Sequence, residues 1–266
     1  MIVDFHTHCF PDTLAPRAMG RLSALSQYPP RLSGTLSDLQ RSMREAGVDL
    51  SVVLHIATNP HQTPAVNDFA IAANGEKGIV SFGSVHYAYA DINGELARLQ
   101  AAGIRGIKFH PDFQEFDVDD RKLMYPIYEK AAETGFILLF HCGCDLDVRT
   151  EYHCTPERFA RMARDFRGAR IVGAHLGGQA MWDDVLRYTV GQDIYLDTSY
   201  AFGWLSDAQL REVLDRHDPD KLLFGTDSPW AGQREDVEMM LRRLPDAQTY
   251  RKIMGENAAR LLGLQE

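Results

Sequence analysis

A chain of 266 residues with 45% hydrophobic and 24% charged residues has the make-up of a globular protein. Its formal charge of -9 argues against broad binding to nucleic acid or anionic membranes. No apolar run approaches the ~20 residues needed to cross a bilayer. No basic segment precedes an apolar core at the N-terminus, so a signal peptide is not expected. The four cysteines, Cys9, Cys142, Cys144 and Cys154, fit a reducing cytoplasm better than a disulfide framework.

The first apolar run, Ile2–His6, leads into Thr7-His8-Cys9. A long connection from Phe10 to Thr35 follows, with Pro11, Pro16, Pro29 and Pro30 and little periodicity; it reads equally as a functional cover or as an exposed insertion. Ser37 before Asp38-Leu39-Gln40 suggests a capping box, and Gly47 a helix stop. Further apolar runs are Ser51–Ile56, Ile79–Val85, Ile104–Phe109, Phe136–His141, Arg170–His175, Asp193–Asp197 and Lys221–Thr226. Several are apolar on both faces, as parallel strands covered by helices should be. Between them, Thr63-Pro64 and Thr155-Pro156 predict helix starts, as do Asp91 and Ser206, while Gly103, Gly135 and Gly168 predict ends. A helix around Glu235–Arg243 and a last one ending near Leu262 follow the eighth run.

Strand and helix patterns thus alternate every 25–35 residues or so, the size of a βαβ module. The expected fold class is α/β, a (β/α)8 TIM barrel, with residues 1–266 as one domain. An open doubly wound sheet is the alternative, but neither Gly-x-Gly-x-x-Gly nor a phosphate loop is present.

His6, His8, His110, His141 and His175 all fall at or just past the C-terminal end of a predicted strand, with His55 and His86 near two others. In a barrel these ends converge on the face that carries catalytic residues. In a strand, residues i and i+2 point to the same side, so His6 and His8 should converge. Asp227 ends the eighth run, which closes beside the first and would face that pair. Three imidazoles and a carboxylate suit zinc, manganese or iron, with an open position for water.

At this point the chain resembles the amidohydrolase superfamily, in the branch called amidohydrolase-2 that also contains non-oxidative decarboxylases. The resemblance rests on His6-x-His8, His141, His175 and Asp227. It extends to Gly106-Ile107-Lys108-Phe109-His110-Pro111, Ala174-His175-Leu176-Gly177-Gly178 and the stretch from Met254-Gly255-Glu256-Asn257 to Leu262, so it spans essentially the whole chain. It implies a divalent metal, zinc first and manganese or iron as alternatives, held as one or two ions. His6, His8, His141 and Asp227 would be ligands. His175 would complete a second metal site or act on the reacting group, and Asp227 would also take the proton from water.

Lys108 and His110 alternate on the fourth strand and should point inward. Lys108 would hold a substrate carboxylate or pair with a structural acid; relatives that carboxylate a lysine here offer a third role. His110 reads as a substrate or outer residue, Arg149 as a partner for an anionic substrate or a surface charge, and Trp230 as a substrate-pocket wall or a rim filler. Tyr200 and Trp204 would wall the pocket or fill the rim. His61 and His153 read as exposed loop residues, and His217 as a helix-end charge.

The leading expectation is a metal-dependent hydrolase cleaving an amide, lactone or ester bond in a small molecule, possibly one bearing a carboxylate. The alternative is a metal-dependent non-oxidative decarboxylase of an aromatic or dienoic acid. A TatD-like deoxyribonuclease is disfavoured, because Lys108-Phe109-His110 replaces that family's glutamate motif and the chain is acidic. A metal scaffold without catalysis predicts missing ligands, and none is missing. The expected location is the cytoplasm, without nucleic-acid or membrane partners. A homo-oligomer stays open.

Overall fold

The computed structural model describes residues 1–26, 29–145 and 151–264. Arg149 lies outside the described residues. Among these, eight parallel strands run in chain order: β1 Val3–Thr7, β2 Leu50–Leu54, β3 Ile79–Phe82, β4 Gly106–Phe109, β5 Ile137–Phe140, β6 Ile171–Gly173, β7 Tyr195–Asp197 and β8 Leu222–Leu223. They form β1-β2-β3 and β4-β5-β6-β7-β8. Gly83 joins the two, accepting from the Lys108 amide at 2.8 Å and donating to the Gly106 carbonyl at 2.9 Å. At the other seam the Phe5 amide donates to Phe224 O at 2.7 Å and the His8 amide to Ser228 O at 2.6 Å. The sheet therefore closes on itself as the expected TIM barrel.

Each strand has two apolar faces because one looks into the barrel and the other toward helices. Val3, Phe5, Val52, Leu54, Phe82, Ile137, Leu139, Val172 and Leu223 pack in the interior, joined by Ala258, Leu261 and Leu262 of the last helix. The alternate residues Ile107, Phe109, Leu138, Phe140, Leu196 and Leu222 pack with helix residues such as Tyr128, Phe159, Leu210 and Met240. On β4 this parity turns Lys108 inward, as its alternation with Ile107 and Phe109 requires. On β1 an irregularity between Asp4 and Thr7 adds one residue relative to β2. Such bulges re-aim side chains next to sites; here Phe5 stays in the interior while His6 and His8 reach the mouth.

Thr155, Asp91 and Ser206 cap their helices through their side chains, and Ser206 forms a full capping box with Gln209. Two expected caps are displaced. Thr35, extended at φ -88° and ψ 155°, accepts from the Asp38 amide, while Ser37 is already inside the helix Leu36–Ala46. Thr63 is likewise inside the helix Thr63–Ala73, because Asn59 caps a preceding 3-10 turn.

The long first connection, expected as either a functional cover or an exposed insertion, is not loop throughout. It contains the helix Ala15–Leu25, with Pro16 in the first turn and only Ala15 and Met19 buried. Too few buried positions repeat for a periodic signal. No helix among the described residues is long and apolar enough to cross a membrane.

Candidate metal centre

Five predicted residues meet at the C-terminal mouth of the barrel. His6 and His8 place their Nε2 atoms 3.2 Å apart, and Asp227 Oδ1 stands 3.4 Å from the first and 3.2 Å from the second. Across the mouth, His175 Nε2 lies 3.2 Å from His141 Nδ1. The His6 and His175 rings stand 5.0 Å apart between centroids, which sets the two pairs side by side at the mouth.

Outer hydrogen bonds decide which nitrogen of each imidazole faces inward. His6 Nδ1–H donates to Asp197 Oδ2 at 2.8 Å. His8 Nδ1–H donates to the Leu54 carbonyl at 2.8 Å, and His175 Nδ1–H to the Ser199 carbonyl at 2.9 Å. His141 Nε2–H donates to the Cys144 carbonyl at 3.2 Å. With these protons placed outside, His6 and His8 turn Nε2 lone pairs toward each other and toward Asp227, and His175 Nε2 faces His141 Nδ1. Facing lone pairs repel unless a cation lies between them. Adjacent ligands bonded at about 2.0–2.1 Å stand roughly 3.0–3.4 Å apart, which matches the observed separations. The donor set and its spacing fit a divalent cation.

Protonation favours the same use. Burial, with nearby Lys108 adding to it against the pull of Asp227, holds His6 well below the ordinary imidazole value. Burial and neighbouring His110 do the same to His141. Both rings are therefore neutral, as ligation requires. For Asp227 burial pushes upward, but His6 and His8 outweigh it and hold the carboxyl below its usual range.

Two of these residues depart from ordinary backbone geometry. With Val172 and Ala174 inside, strand parity would turn His175 outward; instead His175 and Leu176 both take φ of 57°. Asp227 takes φ of 71°. Non-glycine residues in the left-handed region cost about 1–3 kcal/mol and persist where surroundings hold them. Here the Asp227 amide donates to His6 O at 2.8 Å, and the His175 amide to Asp197 Oδ1 at 3.0 Å.

Lys108 sits fully buried at the cleft floor, and its Nζ has no hydrogen-bond partner among the described residues. Burial lowers its pKa, opposed by Asp197 and Asp227. His110 lies in a stack, 4.1 Å from the His141 ring and 4.2 Å from Phe113. Its Nδ1 accepts from the Phe113 amide and its Nε2 faces Asp145 Oδ2 at 3.0 Å. Both nitrogens are engaged, so His110 is poorly suited to ligation although His110, His141 and Asp145 cluster closely.

The cleft above is walled by Phe10, Leu22, Leu25, Ile56, Phe113 and Trp230. The first connection thus supplies one wall. Trp204 does not reach it; it is 55% exposed and lies beside Tyr200 at 6.3 Å. His55 is buried against Phe69 and pushed down to about 3 by burial. His86 stacks on Tyr87. His61 is exposed, but His153 is half-buried and pairs with Asp117 at 2.9 Å. His217 is not a helix-end charge: burial pushes it down to about 4. Its Nδ1 accepts from Gly191 N at 3.1 Å and its Nε2–H donates to Ile194 O at 3.2 Å.

Cys9, Cys142, Cys144 and Cys154 are free thiols. No cysteine belongs to a cluster able to hold a metal among the described residues. Sequence reasoning missed Asp197, Ser199 and Asp145. Asp197 ends a predicted strand just as His141 and His175 do, and that was the available signal.

No curated protein sequence matches the chain. Among solved structures, an uncharacterized TIM-barrel protein from Bordetella bronchiseptica superposes with a TM-score of 0.78 at 21% identity, covering 98% of each chain. A protein from Acinetobacter baumannii, described as a probable 2-pyrone-4,6-dicarboxylic acid hydrolase with citric acid bound, gives 0.67 at 14% identity over 99% of each. A variant 5-carboxyvanillate decarboxylase from Novosphingobium aromaticivorans, with bound manganese and 3-methoxy-4-hydroxy-5-nitrobenzoic acid, gives 0.72 at 13% identity over 99% of this chain and 97% of its own. These likenesses establish the fold. The family model described as Amidohydrolase matches residues 3–264, and the chain belongs to that family.

Proposed function

We propose that this chain, as one domain over residues 1–266, is a metal-dependent hydrolase that opens an amide, lactone or ester bond in a small carboxylate-bearing molecule. The observation that carries this reading is two pairs of facing imidazole lone pairs at the mouth, His6 with His8 beside Asp227 and His141 with His175. When bound, a divalent cation supplies Lewis acidity and lowers the pKa of water toward about 7. Zinc is the proposed ion. The same donors suit manganese, and the bound manganese of the Novosphingobium decarboxylase supports it as the alternative.

His6, His8, His141 and Asp227 would hold the cation. Asp227, ionised at neutral pH, accepts the proton of the attacking water through its carboxylate. His175, with its proton fixed at Nδ1 by Ser199 O, offers Nε2 to receive that proton and return it to the leaving group. Lys108 places its ammonium against the substrate carboxylate, the partner its buried Nζ lacks among the described residues. Phe10, Leu22, Leu25 and Trp230 exclude bulk water and pack the apolar part of the substrate.

A second reading, non-oxidative decarboxylation of an aromatic or dienoic acid, draws on the apolar walls combined with that buried ammonium. The free thiols and the neutral, buried Cys9, which burial pushes up to about 12, support a reducing compartment such as the cytoplasm.

The deciding experiment strips the protein of metal and reloads it with zinc or manganese. Panels of lactones, esters and amides, and of aromatic and dienoic acids, are then assayed for ring or bond opening and for carbon dioxide. Metal-restored hydrolysis supports the first reading. Carbon dioxide without hydrolysis selects the second, and a chain that takes up neither metal refutes both.

A further inference from the structure

We infer that Asp197 and Ser199 are positioning residues that set the tautomers of His6 and His175, and so determine whether those rings present lone pairs or protons to the barrel mouth. The inference rests on the metal-centre reading above for its purpose, but its geometry is independent of any ion.

Asp197 is fully buried at the end of β7. A carboxylate in such a place persists only when its oxygens are paired and hydrogen-bonded. Oδ2 accepts from His6 Nδ1 at 2.8 Å. Oδ1 accepts from the Ser199 hydroxyl at 2.5 Å, the Ser199 amide at 3.1 Å and the His175 amide at 3.0 Å. Since the hydroxyl gives its proton to Asp197, its lone pairs remain for the ring N–H groups around it. His6 Nδ1 and His175 Nδ1 each lie 3.0 Å from Ser199 Oγ.

Every group around the two Nδ1 atoms is thus an acceptor: Asp197 Oδ2, Ser199 Oγ and Ser199 O. Each neutral imidazole has one proton, and these acceptors draw it to Nδ1. Nε2 is left as the lone-pair atom on both rings. Carboxylate-to-histidine bonds of this kind orient metal ligands, and losing one typically costs about 10–100-fold in metal affinity. The same Asp197 fastens the His175 amide, so a single carboxylate from β7 holds both the proposed ligand His6 on β1 and the proton carrier His175 just past β6.

Asp197→Asn tests this with little change of shape. Its Oδ1 can keep the amide bonds to Ser199 and His175, but an NH2 now faces His6 Nδ1. The His6 proton must then move to Nε2, where it points at the other ligands. In the metal-free full chain, nitrogen-15 NMR of the imidazoles should show His6 protonated at Nδ1 in the wild type and at Nε2 in the variant. Zinc and manganese affinity, read by chelator competition, should fall by about 10–100-fold, with cobalt absorption shifted or lost. Ser199→Ala serves if the first variant folds poorly; it removes the hydroxyl between the rings and should weaken metal binding less.

A purely structural brace would lower the melting temperature of the metal-free variants and leave the tautomer and the metal affinity alone. That result overturns the inference. A wild type that binds neither ion refutes the metal reading instead, while the NMR comparison still decides whether Asp197 sets the tautomer.

Discussion

Asp4 lies on the outer side of β1, fully buried between the barrel wall and the helix Gln233–Arg243. Its carboxyl accepts from Thr226 Oγ1 at 2.7 Å, Gln233 Nε2 at 2.8 Å, Thr226 N at 3.0 Å and His6 N at 3.2 Å. Burial outweighs these bonds and pushes the group from 3.8 to about 7. A proton on Asp4 needs an acceptor, and Gln233 Oε1 is buried with no partner among the described residues. Rotating that amide about its terminal bond turns Oε1 toward Asp4 and supplies one.

Between pH 3.8 and about 7 the folded chain therefore holds a proton that the unfolded chain has released. Stability from this group is fully present below the unfolded value and is lost as pH rises through the folded one. At 1.36 kcal/mol per unit, a rise of about three units amounts to roughly 4 kcal/mol. Asp4→Asn cannot titrate. The stability of the wild type minus that of the variant should fall by about 1.4 kcal/mol per pH unit across this window. Asp236, pushed up to about 8 by burial and then by Asp4, should relax in the variant and extend the window upward.

Urea denaturation of both proteins in chelator from pH 5 to 8.5 measures the difference. Taking it cancels the opposite slope from His6 and His141, which must charge on unfolding in acid. A difference constant to within about 0.5 kcal/mol, the ordinary scatter of surface substitutions, would show Asp4 ionised in the fold and refute the dominance of burial.

Chelation should lower the melting temperature, since a cation at one hundred times its Kd contributes about 2.7 kcal/mol, or about 5 °C for a chain of this length; calorimetry with and without added zinc or manganese checks this. Gly106→Ala would set a Cβ 2.3 Å from the Phe82 ring inside the barrel. It should destabilise by about 1–3 kcal/mol through overpacking, measured by urea titration. Leu22→Ala and Leu25→Ala should leave stability nearly unchanged while lowering kcat/KM for apolar carboxylates by about tenfold; an unaltered kcat/KM would remove the Ala15–Leu25 helix from the substrate wall.

The eight strands were legible because burial on both faces leaves a run of apolar residues that no helix or loop here imitates. Their ends were less so. The eighth was expected over Lys221–Thr226, yet β8 stops at Leu223. Beyond it Phe224 N donates to Ile253 O, Gly225 N to Thr198 Oγ1 and Thr226 N to Asp4 Oδ1. These three amides leave the ladder for side chains and a helix carbonyl, although Phe224 O and the Asp227 amide still bond to β1, and no sequence pattern announces that exchange. The histidines and Asp227 were legible by residue type and place. His175 would have been aimed wrongly from parity alone, since only its left-handed φ brings it to the mouth. Asp197 ended a predicted strand as the histidines did, but nothing distinguished it from an ordinary strand-end acid, and Ser199 carried no signal.

The seam between β1 and β8 joins positions far apart in the chain; Asp4 and Thr226, bonded across it, are separated by 222 residues. At ribosomal rates of about 5–20 residues per second, His6 and His8 wait some 10–45 s for the strand that completes their ring. Until then two sheet edges are open to mispairing, and four imidazoles are exposed without the carboxylate that finishes the donor set. Closure of the barrel and completion of the donor set thus depend on the same long-range pairing, so a chain ended before Asp227 would hold the imidazoles without the carboxylate beside them.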